Sequence, residues 1–469
     1  MRRDDILRTV IICGSWEGEA PAEPHVSTEF RLGRSLALPK QRDLVFNRAS
    51  EWLPPHYITS PIPSSSTDTP MPLSVPPEQE PQEQEEVRLY RQLHGLPELF
   101  EEIEASEKDE LQLQACLREK YSPEIVRAAL QVVSLRNRAE NKFSRASQMW
   151  FDRVGLEQAT AEAVAHHKAK RFSGEVWDLC AGIGGDTMAL AEHCQIHAVD
   201  FSPLRNLVNQ YNCGAYGVDE SVEFRSQDVS KLHPKDTWIH IDPDRRGKNQ
   251  NRSLRLQDSL PQPDVLKKLI AENRGGAIKC SPASNFAGFF SDVECELISL
   301  NGECKEATLW FGELTGPYEW RATVLPENES MAGDPMSARV SVGGIAQFFF
   351  DPNPALVRSG LLEVLAAKEN LSRIDPEDEY LTGDRLSSSP FVQPFEVRAI
   401  LPNNEKTIRK YVKEHDVGIV EIKHRRLRVE VERLQRNLRG SGEESTTIVF
   451  TRIGGKAKAV VCRRCSSKC

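Results

Sequence analysis

The sequence predicts an α/β fold: a Rossmann-like sheet in the middle of the chain, a helical segment before it and an α+β segment after it. Three observations lead there. Four short apolar runs alternate with helical stretches, the pattern of a parallel sheet with crossover helices. Each run carries an acid at or just beyond its end, namely Asp178, Asp200, Asp228 and Asp242. The first run feeds a glycine-rich turn that opens into a helix, and a later pair of apolar runs is divided by Asn301-Gly302, a hairpin dipeptide.

The first strand is Val176-Trp177-Asp178-Leu179, and Thr187-Met188-Ala189-Leu190-Ala191 reads as the helix after the turn. Gly182, Gly184 and Gly185 let backbone approach a ligand closely, and the first helical N–H groups point at it. This is a nucleotide-type site. A dinucleotide fingerprint wants glycine where Thr187 stands, which disfavours an NAD enzyme. A second strand over 196–199 ends in Asp200, 18 residues past Gly182, where ribose hydroxyls are usually held. The third, over 222–225, leads to Asp228, and the fourth, over 238–241, to Asp242-Pro243-Asp244-Arg245-Arg246. A helix over 264–270 follows, stopped by Gly275-Gly276, then a strand over 277–280. Strands over 296–300 and 307–311 close the sheet as an antiparallel pair.

With these four acids and the glycine loop in register, the chain resembles the class I S-adenosylmethionine-dependent methyltransferases. The resemblance implies S-adenosylmethionine as cofactor. Asp200 would accept from both ribose hydroxyls, Asp228 from the adenine amine, and Asp178 would meet the α-amino group directly or through water. Gly182, Gly184 and Gly185 would give close backbone approach, and Asp186 would cap the helix. The loop of Asp242, Pro243 and Arg245 would face the methyl group, with Asp242 as general base or orienting carboxylate. Related loops place an aromatic after the prolines to stack on a base. Here Asp244 and Arg245 stand instead, so amine methylation does not follow from the motif. In RNA methyltransferases D-P-x-R arginines help position substrate. Arg245 and Arg246 could bind phosphate or pair with neighbouring acids.

Composition limits the rest. At 469 residues, two or three domains are expected, and 29 prolines suggest that part of the chain is unpacked. A net charge of −9 gives no global basic field. The 11 cysteines are mostly scattered singly, which suits reduced thiols in a cytoplasmic protein, and no run is long enough for a membrane helix. Residues 1–84 lack apolar periodicity and read as a disordered extension, or as a mis-annotated one with translation starting at Met71. Residues 85–154 read as a helical domain that either packs on the catalytic one or contacts substrate. In it Leu111, Leu113, Cys116 and Leu117 could line one face, and Ser122-Pro123 starts a helix. The methyltransferase domain is expected over 155–342, a THUMP-like domain over 343–464 and a flexible tail over 465–469.

Residues 156–168 read as one amphipathic helix. Gln158, Thr160 and Lys168 are the candidates there for the methionine end of the cofactor, since residues before the loop often touch it in class I methyltransferases. Cys280 sits where pyrimidine C5 methyltransferases carry a nucleophile, but its context matches a buried strand cysteine better. Cys462-Arg463-Arg464-Cys465 has no second pair, so no metal site is expected. The segment from 343 resembles the THUMP-like domain of a bacterial group of class I methyltransferases. Arg425, Arg426 and Arg428, followed by Arg433, Arg436 and Arg439, could there track an RNA backbone or simply form a solvated face. The resemblance implies methylation of structured RNA, ribosomal or transfer, with neither DNA nor membrane as partner. The alternatives are a small-molecule methyltransferase, or a non-catalytic RNA-binding protein that keeps the cofactor scaffold. Oligomeric state is not legible.

Overall fold

The computed structural model describes residues 81–244, 259–284 and 289–465. Arg245, Arg246, Cys469 and most of the N-terminal extension lie outside them. The first described helix, α1 (Pro81–His94), includes residues 81–84, which the composition had placed in the N-terminal extension. Helices α2 (Pro97–Glu104), α3 (Glu110–Leu117) and α4 (Pro123–Ala139) follow. Ser122 caps α4, with proline in its first turn. On α3 only Leu113 and Leu117 are buried, while Leu111 points to solvent. Leu111 and Leu113 are two residues apart, on opposite sides of a helix, so they could not share a face.

Nine strands form the central sheet: β1 (Gly174–Leu179), β2 (Cys194–Asp200), β3 (Val222–Ser226), β4 (Trp238–Ile241), β5 (Gly275–Cys280), β6 (Val293–Leu300), β7 (Glu303–Gly312), β8 (Trp320–Leu325) and β9 (Glu329–Gly333). Their order is β3-β2-β1-β4-β5-β7-β6-β8-β9. The first five run parallel, and β7 is antiparallel to both β5 and β6. Asn301 and Gly302 both take positive φ in the β6–β7 turn, as a two-residue hairpin requires. Gly275 and Gly276 are strand residues rather than a helix stop. A Cβ on Gly276 would sit 2.0 Å from the Ile239 carbonyl, so their smallness serves strand packing.

Around the sheet lie α5 (Arg153–Gln158), α6 (Glu162–Ala169), α7 (Thr187–Ala191), α8 (Pro203–Tyr216) and α9 (Pro263–Glu272). Thus 156–168 is not one helix: the chain turns extended at Ala159, and α6 restarts at Glu162. The N-terminal helices share a core with the sheet's helices, where Leu93, Phe100, Val132 and Trp150 pack with Met188, Leu207 and Val208.

A second, seven-stranded sheet follows: β10 (Phe348–Pro352), β11 (Ser372–Arg373), β12 (Leu381–Gly383), β13 (Val392–Pro402), β14 (Val417–His424), β15 (Glu444–Ile453) and β16 (Lys456–Arg464). Its order is β11-β12-β10-β13-β16-β15-β14. Between these strands run α10 (Pro354–Arg358), α11 (Leu362–Lys368), α12 (Glu405–Glu414) and α13 (Val431–Leu438). Asn353 caps α10 and also donates to Ser299 on β6 at 2.8 Å. Phe350, Leu356, Leu362 and Val392 share one core with Leu297, Leu309 and Val324 of the first sheet. Among the described residues no helix is long and apolar enough to cross a membrane.

Candidate active site

The parallel order brings the ends of β1, β2, β3 and β4 to one edge, and the acids with them. The turn after β1 is shaped by positive φ at Cys180, Gly182 and Gly184. At Gly184 a side chain is also excluded by space, because a Cβ would lie 2.1 Å from the Asn209 amide oxygen. Beside Gly182 there is open space, so its backbone can be approached, and its N–H donates to Asp200 Oδ2 at 2.8 Å. Ser202 N–H donates to the other Asp200 oxygen at 2.9 Å. Burial pushes the Asp200 carboxyl above its usual value, against the pull of Arg205 and those two N–H groups. Asp228 accepts from the backbone and hydroxyl of Ser230. The turn, open beside Gly182 and flanked by an oriented carboxylate, fits a ribose-bearing cofactor.

Asp178 and Asp186 behave differently from their expected roles. Asp178 is buried, with one oxygen accepting from Thr187 Oγ1 at 2.5 Å and the other 2.8 Å from His240 Nδ1. Both oxygens accept hydrogen bonds inside the protein, where Asp178 braces the turn from below. Asp186 starts α7 without a side-chain cap. Its carboxylate instead bonds Lys168 Nζ at 2.8 Å and Thr160 Oγ1 at 2.5 Å.

Lys168 is 1% exposed and also meets Glu306 of β7 at 2.7 Å and His240 Nε2 at 3.3 Å. Burial would drive its proton off, yet Asp186 and Glu306 hold the ammonium above its ordinary pKa. Burial likewise opposes the Asp186 charge, but Lys168, His240 and Lys279 keep that carboxyl below its usual range. His240 is raised, since Asp186 and Asp178 outweigh burial and Lys168.

Asp242 follows β4, and its N–H donates to Leu179 O at 3.1 Å, which pins the loop beside the glycine turn. Its Oδ2 lies 2.6 Å from Lys279 Nζ. Asp244 accepts from Gln158 Nε2 at 3.1 Å and pairs its backbone with Leu260. Of the three candidates before the glycine turn, Gln158 meets the Asp242–Asp244 loop, whereas Thr160 and Lys168 are enclosed against Asp186 and Glu306, and their stretch is a broken helix rather than one amphipathic helix. Sequence reasoning passed over His240, Lys279 and Glu306. The available signal was a charged or polar residue inside an apolar strand run, which is rarely buried without a partner. Cys280 is buried in the apolar core, as a strand cysteine should be.

In the second sheet, Arg425 is held by Asp351 at 2.8 Å, and Arg426 pairs with Glu379. Arg425 is thus corrected from phosphate contact to internal ion pair. Arg433 pairs with Glu430 and Glu405, whereas Arg428, Arg436 and Arg439 are exposed with no ion pair among the described residues. Cys462 is buried under the sheet, facing Phe395 and Val460.

A sheet of this order, with a glycine turn after β1 and acids ending β2 and β4, is that of a class I methyltransferase using S-adenosylmethionine. The chain belongs to the S-adenosylmethionine-dependent methyltransferase family: it is 34% identical over 352 residues to an uncharacterised S-adenosylmethionine-dependent methyltransferase of Mycobacterium tuberculosis strain H37Rv, and equally to that of strain CDC 1551. The match covers 70% of this chain and 94% of each relative. Residues 173–263 match the RNA cap guanine-N2 methyltransferase family, 392–464 the THUMP domain-like family, and 95–139 a domain family of unknown function. A candidate methyltransferase of Porphyromonas gingivalis W83 shares the fold with a TM-score of 0.62 at 17% identity, covering 82% of this chain and 99% of that one.

Proposed function

We propose that the enzyme methylates structured RNA, ribosomal or transfer, which its THUMP-like segment presents to the site. The observation that carries this reading is the pairing, in one chain, of a site segment like RNA methyltransferases (173–263) with a THUMP-like segment (392–464). Exposed Arg428, Arg436 and Arg439 supply cationic contacts for a phosphate backbone.

S-adenosylmethionine supplies an electrophilic methyl group on a sulfonium. The chain would hold its ribose through Asp200, its adenine amine through Asp228, and its amino-acid end along Gly182, Gly184 and Gly185, with Asp178 and Asp186 bracing the turn from inside. Asp242 and the Pro243 carbonyl would orient the acceptor atom, Asp242 taking its proton. Arg245 and Arg246, outside the described residues, would hold acceptor phosphate. Transfer then depends mainly on proximity and alignment.

The test begins with calorimetric titration of S-adenosylmethionine into the wild type and Asp200→Ala. We expect micromolar binding, weakened at least about tenfold in the variant, since a charged hydrogen bond contributes roughly 1.5–3 kcal/mol. Tritiated methyl transfer into total RNA from a strain lacking the gene follows. Label in RNA supports the reading. Label confined to small molecules, or none with binding intact, overturns it in favour of a small-molecule enzyme or a scaffold.

A further inference from the structure

We propose that Lys279 is a positioning residue for methyl transfer, which locks the Asp242 carboxylate against a wall built by the helical segment. The proposal rests on the reading of Asp242 given above. Lys279 is the one charged residue of β5 (Gly-Gly-Ala-Ile-Lys-Cys) and is only 9% exposed. Its Nζ donates to Asp242 Oδ2 at 2.6 Å and to the Gln158 carbonyl at 3.0 Å. Asp242 Oδ1 takes no hydrogen bond among the described residues, and the side chain remains 25% exposed. One oxygen is fixed by Lys279 while the side chain stays part-exposed, so a donor N–H or O–H on the acceptor would meet a carboxylate already oriented.

Gln158 extends the arrangement. Its carbonyl receives Lys279, its side-chain amide donates to Asp244 Oδ1 at 3.1 Å, and its Oε1 accepts from Arg205 at 3.3 Å. The C-terminal residue of α5 therefore fixes both acids of the loop, Asp242 through Lys279 and Asp244 directly. Lys168 makes a contrast. Both its carboxylate partners are enclosed with it, so it braces the fold, whereas the partner of Lys279 opens to solvent. An amine buried in an apolar strand carries a desolvation penalty that packing alone would not select, and a carboxylate held in one rotamer gains reactivity by preorganisation.

The test compares kcat and KM of wild type, Lys279→Met, Lys279→Gln, Lys279→Arg, Asp242→Asn and the Lys279→Met/Asp242→Asn double variant. Tritiated S-adenosylmethionine and total RNA from the deletion strain serve as substrates. We expect Lys279→Met and Lys279→Gln to lower kcat by about 10- to 100-fold, the scale of a small misplacement of a reacting group. KM for S-adenosylmethionine should stay within about twofold, Lys279→Arg should restore most of the rate, and Lys279→Met should change kcat less than about threefold once Asp242 is already Asn. Should Lys279→Met fail to fold, the Gln and Arg variants decide. A wild-type rate in Lys279→Gln, or a full loss persisting in the double variant, overturns the inference while leaving the enzyme reading intact. A wild type that labels no RNA overturns that reading and this inference with it.

Discussion

Replacing Lys168 with Met keeps length and volume but removes the charge between two buried carboxylates. Its ammonium lies 2.8 Å from Asp186 and 2.7 Å from Glu306, with all three side chains almost wholly enclosed. Taking one member from a buried ion pair costs about 3–5 kcal/mol, because the remaining charge is left uncompensated. Thr160 still donates to Asp186 and Thr308 to Glu306, which argues for the lower end. A loss of about 3 kcal/mol, at roughly 2 °C per kcal/mol for a large domain, lowers the melting temperature by about 6 °C. The assay is thermal unfolding followed by circular dichroism, with Lys168→Met/Glu306→Gln alongside. Removing one of the two stranded carboxylates should recover more than half of the deficit. A fall of under about 2 °C, or no recovery in the double variant, would mean that Lys168 contributes only packing, and the reasoning fails.

Three more outcomes follow from the geometry. Burial would raise the Glu296 carboxyl, but His167, Arg171 and Thr323 hold it at about 2. A depressed carboxyl pKa stabilises the fold above the unfolded value and loses that contribution as pH falls, here between about 4.5 and 2 and on the order of 3 kcal/mol. The stability gap between wild type and Glu296→Gln should thus close as pH falls through that window; a gap that ignores pH there refutes it. Arg425→Ala should destabilise by about 1.5–3 kcal/mol, since Asp351 loses one charged hydrogen-bond partner but keeps Lys423 at 2.8 Å, with the RNA salt slope unchanged. Arg428→Ala should leave stability alone but weaken RNA binding and lower that slope by about 1, measured by filter binding across salt; the reverse pattern would place the RNA elsewhere.

The central sheet was readable because its signals are local. Apolar runs ending in Asp200 and Asp242, and Asn301-Gly302 between two strands, each reflect constraints felt within a few residues. What was hidden depends on contacts far apart in the chain. Nothing near Thr160 announces Asp186, 26 residues on, nor does anything near Arg425 announce Asp351, 74 residues back. The strand glycines Gly275 and Gly276 misled for the same reason, since their size answers to Ile239 and Phe311 across the sheet. The acids were legible but their inner contacts were not: a carboxylate beside the glycine turn can face a ligand or face inward, and the positions of His240 and Thr187 hold Asp178 inward.

The junction between the two sheets is a shared apolar core, not a linker: Phe350, Leu356 and Val392 interlock with Leu297, Leu309 and Val324. Swinging one part against the other would expose that surface to water, which is unfavourable in proportion to its area. The separation between the arginines around α13 and the Asp242 loop is therefore a built-in length. On the proposed reading such a molecule would work as a gauge: an RNA held at the α13 arginines would offer for reaction only those atoms lying one fixed span away, so selection would follow from measurement as much as from the chemistry of the atom reached.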